Sequence, residues 1–180
     1  MPSGRPVCPC NLRDVPSWDP EFSNWLWRGD EPLDAGPTVV FDMDGVLSDA
    51  SSRQHYIEYP FPDWDSFFHA CGDDELINEV ARLLDVIDAE HRIILLTARP
   101  MRVQPQTLGW LDRYQLRWDA LIMREFGDYM AARVYKQRTV RELRAKGFDL
   151  RLAFEDDPRN VHMFHSEDVP CVYIHSGYYE

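Results

Sequence analysis

Five short apolar runs, separated by segments with helical spacing, constrain the fold of this chain more than any other feature of its sequence. The predicted helices lie at about 74–89, 103–115, 131–146 and 158–164. Short apolar runs between helices are typical of buried strands in a parallel sheet. The alternation therefore predicts an α/β fold with a doubly wound, five-stranded parallel sheet. The predicted strands are residues 38–42, 92–97, 120–122, 150–154 and 171–174.

Two carboxylates and a glycine stand where the first predicted strand must turn into a loop, in Asp42-Met43-Asp44-Gly45. Open α/β sheets bind ligands at the carboxyl ends of their strands. There Asp42 can attack an electrophile, Asp44 can exchange a proton, and Gly45 permits a tight turn. An Asp-rich turn that caps a helix has the same composition, so the motif alone does not establish a site.

Three more polar groups follow the later strands. Thr97-Ala98-Arg99 comes after the second strand, Lys136 lies on the helix after the third, and Glu155-Asp156-Asp157 comes after the fourth. The carboxyl ends of parallel strands share one edge of the sheet. We therefore expect these groups and the first motif to converge on one pocket.

This ordered set resembles the haloacid dehalogenase superfamily over about residues 38–180. Its phosphatase branch combines Asp-x-Asp-Gly, a Thr or Ser after strand two, a Lys and a late acidic pair. The resemblance implies a Rossmann-like fold of the haloacid dehalogenase type with a small cap inserted after the first strand, at about 48–72. An open pocket under so small a cap suits the end of a polymer better than a buried metabolite.

Three segments also resemble the 3′-phosphatase domain of bacteriophage polynucleotide kinase 3′-phosphatase. They are residues 123–128, followed by Lys136, together with 152–164 and 171–179. The Gly-x-x-x-x-Gly-Lys-Ser/Thr loop of a kinase does not occur in the sequence. The kinase half of that family therefore has no counterpart in these 180 residues.

The resemblance implies phosphoryl transfer through an aspartyl-phosphate. Asp42 would be the nucleophile and Asp44 the general acid and base. Mg²⁺ would be bound by the Asp42 carboxylate, the Asp44 main-chain carbonyl and Asp156. In the family a basic residue follows the late acidic pair, whereas this chain has Glu155-Asp156-Asp157, so the metal ligand is uncertain by one residue. Asp157 is also predicted to cap the helix that follows it.

The resemblance also implies how the phosphoryl group is held. Thr97 and the backbone N–H of Met43 would bind its oxygens, while Lys136 would stabilise its charge and orient Asp42. Each side chain has a simpler interpretation as well: Thr97 can cap a strand end, and Lys136 can be an exposed helix lysine.

Four further residues are candidates for substrate binding: Arg99, Arg124, Arg53 and His55. Arginine recognises phosphate with two parallel hydrogen bonds, which favours Arg99 and Arg124 as contacts to the substrate phosphate or a neighbouring one. Surface salt bridges are the alternative for both. Arg53 and His55 fall in the predicted cap, and His55 is more often a polar residue with satisfied hydrogen bonds than a functional one.

The net charge of −12, from 31 acidic and 19 basic residues, limits the class of substrate. An extended duplex-binding surface needs a basic face, so the charge argues against one, but it leaves room for a small basic site that holds a phosphorylated nucleic-acid end or a nucleotide. The substrate itself, such an end or a nucleotide, is what the resemblance implies. An acidic enzyme that handles phosphate needs a divalent cation to offset repulsion. No apolar run reaches the length of a membrane span and no signal peptide pattern is present, so we expect a cytoplasmic protein without a membrane partner.

Residues 1–36 are predicted to be a loop-rich leader, ahead of a phosphatase domain over 37–180. The leader's tryptophans, Trp18, Trp25 and Trp27, would pack it onto that domain, or alternatively stack on bases. Cys8 and Cys10 are interpreted as free thiols rather than half of a zinc site, because no second pair stands at ligand spacing.

The leading hypothesis is a Mg²⁺-dependent 3′-phosphatase of nucleic-acid ends. A nucleotidase that acts on free nucleoside monophosphates is the alternative, and the net charge supports it. A catalytically idle binding module on the same fold is a third possibility, against which the complete set of polar groups argues. The sequence leaves open DNA or RNA preference, oligomeric state and a separate kinase or ligase partner.

Overall fold

The computed structural model describes residues 16–58 and 60–179, in which nine strands form two sheets. The larger sheet has seven strands in the order β1-β2-β7-β6-β3-β8-β9, and β4 pairs with β5 separately. The strands are β1 Ser17–Trp18, β2 Trp25–Trp27, β3 Pro37–Phe41, β4 Ser48–Asp49, β5 Glu75–Leu76, β6 Arg92–Pro100, β7 Ala120–Arg124, β8 Asp149–Glu155 and β9 Cys171–Tyr173.

Five α-helices connect these strands within the described residues. None of them is both long enough and apolar enough to cross a membrane. The helices are α1 Trp64–His69, α2 Asn78–Val86, α3 Gln104–Arg113, α4 Ala132–Ala145 and α5 Pro158–Ser166, and shorter 3₁₀ turns cover Ala50–Ile57, Ala70–Asp73 and Met101–Val103.

The five predicted strands form the parallel part of the larger sheet. β6 and β8 flank β3, with β7 and β9 beyond them, and all four of these pairings are parallel. Alternate side chains of the central strands enter two separate apolar cores. Val39 and Ile93 pack in one core, and Val40 and Ile94 pack in the other, because successive side chains of a strand point to opposite faces.

The predicted count of five strands is wrong, because two antiparallel strands extend the sheet beyond β7. β2 pairs with β7 and β1 pairs with β2. Both come from residues predicted to be a loop-rich leader. Trp25 and Trp27 are buried in the second core, whereas Trp18 remains half exposed. A three-residue strand is too short to show a periodic pattern. The segment, which is rich in Pro and Trp, was therefore predicted to be a loop. Cys8 and Cys10 lie outside the described residues.

A compact segment between β3 and α2 holds the small sheet. It runs from β4 through a 3₁₀ turn, α1 and a second 3₁₀ turn to β5. Its function as a cap stays a prediction. The predicted helix over 74–89 begins later than expected, at Asn78, since Asp74 and Glu75 precede it in a turn and in β5.

Candidate active site

Asp42 lies directly after β3, at the edge of the sheet where the parallel strands end, and its main partner is a lysine. Lys136 Nζ lies 2.8 Å from Asp42 Oδ2 and donates to Glu155 Oε2 at 2.6 Å. All three side chains are buried. Burial and the nearby Glu155 raise the pKa of Asp42, while the Lys136 ammonium opposes that rise. Lys136 is therefore not an exposed helix lysine, because α4 projects it into the site.

A group of three carboxylates could hold a metal ion here. Ligand oxygens of Asp42, Glu155 and Asp156 all lie within 4.8 Å of one another. Both oxygens of Asp156 are buried, and neither has a well-formed hydrogen bond within the described residues. Burial and the charge of Asp42 raise the pKa of Asp156 to about 7. A buried carboxylate without a donor is unstable unless a cation or a proton balances it, so the site fits a divalent cation.

Gly45 lets the first loop approach Asp156. Its φ is +79°, which suits glycine, and a Cβ at this position would overlap the Asp156 carboxylate and touch the Ser176 side chain. The loop and the end of β8 are thus brought together by the absence of a side chain.

The two neighbours of Asp156 are engaged elsewhere. Glu155 accepts from Lys136, from Asn160 Nδ2 at 3.1 Å and from the backbone N–H of Asp157 at 3.2 Å. Asp157 caps α5 and accepts from the backbone N–H and the guanidinium of Arg159. The predicted helix cap at Asp157 is confirmed. Of the three consecutive acids, Asp156 is the one whose carboxylate oxygens have no well-formed hydrogen bond within the described residues.

Asp44 is held by two buried arginines. Arg53 Nη2 donates to Asp44 Oδ1 at 2.6 Å, and Arg99 donates to the same oxygen through Nε at 2.8 Å and through Nη2. Burial alone would raise the pKa of Asp44, but the two guanidinium groups outweigh it and lower the pKa to about 2. In this arrangement Arg53 and Arg99 face Asp44 rather than the open cavity.

A fourth charged group completes this cluster and has no counterpart among the predicted site residues. Asp74 accepts from Arg53 Nε at 2.8 Å and Nη2 at 2.7 Å, and from Arg99 Nη2 at 3.1 Å. Ser48 Oγ also donates to it. An acidic run such as 73–75 is typical of a helix start, so this role of Asp74 could not be predicted from the sequence.

The other predicted site residues differ in whether they line the cavity next to these charged groups. Thr97 is buried in the cavity wall, where its Oγ1 accepts from the backbone N–H of Arg99. Arg124 also lines the cavity; its buried Nε has no partner among the described residues, and its guanidinium lies 5.7 Å from the Tyr135 ring centroid. Met43 is buried, and its N–H donates no hydrogen bond within the described chain. His55 is exposed, lies against Tyr56 and is not part of the cavity wall.

These groups open onto a cavity of about 840 Å³. Asp42, Asp44, Thr97 and Lys136 form part of its wall. Aromatic side chains from α1 and from the loop between β7 and α4 form the outer part, and several are unusually exposed for their size: Trp64 51%, Phe126 90% and Tyr129 89%.

Comparison with known proteins identifies the family. The model described as "Polynucleotide kinase PNKP phosphatase domain" matches residues 36–179. The chain belongs to this family. It is therefore a phosphatase of the haloacid dehalogenase type, as the motifs predicted. No curated protein sequence matches it.

Two solved structures share the fold of this phosphatase. "Structure of the Pnkp1/Rnl/Hen1 RNA repair complex" has a TM-score of 0.66 and 24% identity, over 81% of this chain and 45% of that one. "Structure of Pnkp1/Rnl/Hen1 complex" has a TM-score of 0.67 and 24% identity, over 81% of this chain and 48% of that one. The phosphatase thus spans less than half the length of either matched chain.

Proposed function

We propose that this phosphatase removes 3′-phosphates from nucleic-acid ends in a Mg²⁺-dependent reaction through an aspartyl-phosphate. One observation carries the proposal. The buried Asp42 carboxylate lies against Lys136 at the carboxyl edge of the sheet, beside the Asp156 carboxylate, whose buried oxygens have no well-formed hydrogen bond within the described residues. A nucleophile beside an ammonium group and a carboxylate that can bind a metal ion supports this reaction.

In the first half of the reaction, an Asp42 oxygen attacks phosphorus and the bond from phosphorus to the leaving oxygen breaks. The leaving alkoxide takes a proton from Asp44. Lys136 holds Asp42 in place and offsets the charge that develops on the phosphoryl oxygens. In this proposal Thr97, which lines the cavity, and the Met43 N–H bind those oxygens. Water then attacks phosphorus, the bond to Asp42 breaks, and Asp44 accepts the proton from that water.

Asp44 must therefore give a proton in one step and accept one in the next. The ion pairs with Arg53 and Arg99 favour its ionised form, which is the form that the second step needs. For the first step, substrate must draw a guanidinium away from Asp44. This exchange reconciles the predicted phosphate-binding role of Arg99 with its buried position.

The residues that would hold Mg²⁺ are Asp42, Asp156 and the Asp44 main-chain carbonyl, which accepts no hydrogen bond within the described residues. When bound, the ion would offset the repulsion between Asp42 and the anionic substrate. Glu155 is better suited to orienting Lys136, because both of its carboxylate oxygens already accept hydrogen bonds from protein donors.

A nucleic-acid substrate is supported by the outer wall of the cavity. Phe126 and Tyr129 expose nearly all of their ring surface beside the catalytic groups, and bases stack on such side chains without sequence preference. Both structural neighbours are described as Pnkp1/Rnl/Hen1 complexes, and one of them as an RNA repair complex, which is consistent with separate protein partners for this phosphatase. The nucleotidase alternative keeps its support from the net charge of −12.

Phosphate release from a matched panel tests the proposal. The panel contains 3′- and 5′-phosphorylated oligonucleotides and 3′- and 5′-mononucleotides, each with Mg²⁺ or EDTA, and Asp42→Asn is the inactive control. We expect the 3′-phosphorylated oligonucleotide to be hydrolysed fastest, and only with Mg²⁺. Preference for mononucleotides would establish the nucleotidase instead, and activity in EDTA would remove Asp156 from the mechanism.

A further inference from the structure

The buried charge cluster beneath Asp44 contains a residue that no motif identifies. Asp74 is 1% exposed and lies between the second 3₁₀ turn and β5. Burying a carboxylate at this depth is strongly unfavourable unless it is paired and hydrogen-bonded. The partners of Asp74 are Arg53, Arg99 and Ser48, and two of them also contact Asp44.

The geometry at Arg53 is that of a fixed guanidinium. Its Nε and Nη2 donate to the two oxygens of Asp74, at 2.8 and 2.7 Å, in the planar two-bond arrangement that arginine makes with carboxylates. Its Nη1 donates to the Phe67 carbonyl at 3.3 Å, and its Cζ lies 4.2 Å from the Phe67 ring centroid. Asp44 accepts a hydrogen bond from a group that is already held on its other sides.

Arg99 is held from the opposite direction. Its Nη2 donates to Ser48 Oγ at 2.8 Å and to Asp74 Oδ2 at 3.1 Å, while Nε and Nη2 both reach Asp44. The two buried arginines, the buried Asp74 and the partly exposed Asp44 form a cluster of zero net charge. Removing the Asp74 charge leaves two guanidinium groups with one carboxylate.

All three arginine hydrogen bonds to Asp44 end on Oδ1, so Oδ2 is left for substrate or water in the cavity. Asp74 itself is anchored to α3. Its main-chain carbonyl accepts from Trp110 Nε1 at 2.8 Å and from the Tyr114 hydroxyl at 3.3 Å. A chain of contacts therefore runs from α3 to the oxygen that exchanges protons.

We infer that Asp74 is a positioning residue for Asp44, which acts through Arg53 and Arg99 to keep Oδ2 aimed at the water that hydrolyses the aspartyl-phosphate. This inference rests on the proposed function. Without the Asp74 charge, the arginines can turn from Asp44 to the oxygens of the phosphorylated Asp42. The second half of the reaction then slows, because the base is misplaced and the intermediate is better held.

The test uses Asp74→Asn with p-nitrophenyl phosphate and Mg²⁺ under rapid mixing. Nitrophenolate leaves without a proton, so the acid function of Asp44 does not affect the first step. We expect a burst of about one nitrophenolate per folded protein, then a steady rate at least roughly tenfold below that of the unaltered protein. Acid quenching should trap the phosphorylated protein during the slow phase. Asp73→Asn, which changes the exposed residue next to Asp74, is the matched control and should leave both phases unaltered.

A merely structural role for Asp74 predicts a different result. Partial unfolding would lower burst and steady rate together, and a steady rate that falls without a burst would overturn the inference. If Asp74→Asn does not fold by circular dichroism, Ser48→Ala removes one hydroxyl from the same cluster, and its burst should persist above a slower steady rate. An unaltered protein that releases no phosphate from any substrate would instead contradict the proposed function.

Discussion

At the residue scale, the first motif depends on one backbone angle and one missing side chain. Gly45 and Gly127 adopt nearly the same positive φ, +79° and +82°, but only Gly45 has close neighbours. A Cβ at Gly127 would meet nothing within 4 Å, whereas one at Gly45 would displace Asp156. The pair separates the cost of backbone strain from the cost of losing the metal site.

We predict that Gly127→Ala lowers the free energy of unfolding by about 1–2 kcal/mol, because an L side chain is strained at this φ, and that Gly45→Ala lowers it by at least as much, because its Cβ must also displace Asp156. Only Gly45→Ala should also lower kcat/KM, by roughly 100-fold or more, with a raised Mg²⁺ requirement. Urea unfolding and Mg²⁺ titration of activity check both. Equal activity in the two variants would mean that Asp156 is not a ligand.

Some residues of the site can be predicted from the sequence, and others cannot. Asp42, Asp44, Thr97 and Lys136 follow strands in a fixed order, and the structure brings all four into the wall of one cavity. Asp74 could not be predicted, because a buried counterion is defined by partners that are distant in sequence. The scarcity of hydrogen bonds to Asp156 could not be predicted either. Its two sequence neighbours are also acidic, and only the packing of the folded chain gives them protein donors that Asp156 lacks.

At the scale of elements, long apolar strands were predictable and short edge strands were not. β3 and most of β6 are buried on both faces and therefore read as apolar runs. β1 and β2 have two and three residues, and β2 is recognisable only by its pairing with β7. Trp27 shows what this pairing contributes, because it lies against Phe148 with ring centroids 6.0 Å apart and donates Nε1 to Asp19 at 3.1 Å.

Trp27→Ala should therefore destabilise the protein by about 3–5 kcal/mol, as expected for removal of a buried aromatic side chain. Trp18→Ala, at a half-exposed position of the neighbouring strand, should cost less than about 1 kcal/mol. Denaturant midpoints measure both. Similar midpoints would show that β2 is not part of the cooperative fold.

The loop between β7 and α4 makes a separate prediction. Replacing Phe126 and Tyr129 together by alanine should raise KM for a phosphorylated oligonucleotide by roughly tenfold or more, since stacking contributes about 1–3 kcal/mol per base. KM for p-nitrophenyl phosphate should not change. Phe61→Ala serves as the control, because Phe61 is 87% exposed and does not line the cavity. An unchanged oligonucleotide KM would show that the exposed rings do not contact bases.

At the scale of the whole molecule, we expect the acidic site to link stability to pH and, through the proposed metal site, to Mg²⁺. Burial raises the pKa of Asp156 to about 7, and the charge of Asp42 adds to this rise. Between its ordinary value of 3.8 and about 7, the folded protein holds a proton that the unfolded chain releases. The contribution of this group to stability therefore falls as pH rises through that range, and is lowest above it.

We expect the metal-free protein to lose stability from pH 5.5 to 8 relative to Asp156→Asn, which carries no titrating carboxyl there. Mg²⁺ should stabilise the unaltered protein at pH 8 by about 2.7 kcal/mol at a hundredfold excess over its Kd, and leave Asp156→Asn unchanged. Thermal unfolding in matched ionic strength measures both effects. Equal stabilisation of the two proteins would indicate general screening of the net charge rather than a bound ion.

The short outer strands of the larger sheet also affect whether molecules of this protein associate through their sheet edges. In the described chain, the sheet ends at β1 with two residues and at β9 with three. The long strands, whose unpaired peptide groups would attract another copy, are all internal. A sheet bordered in this way offers little template for intermolecular pairing. Concentrated samples should therefore resist the growth of β-rich aggregates as long as β1 and β2 stay in place.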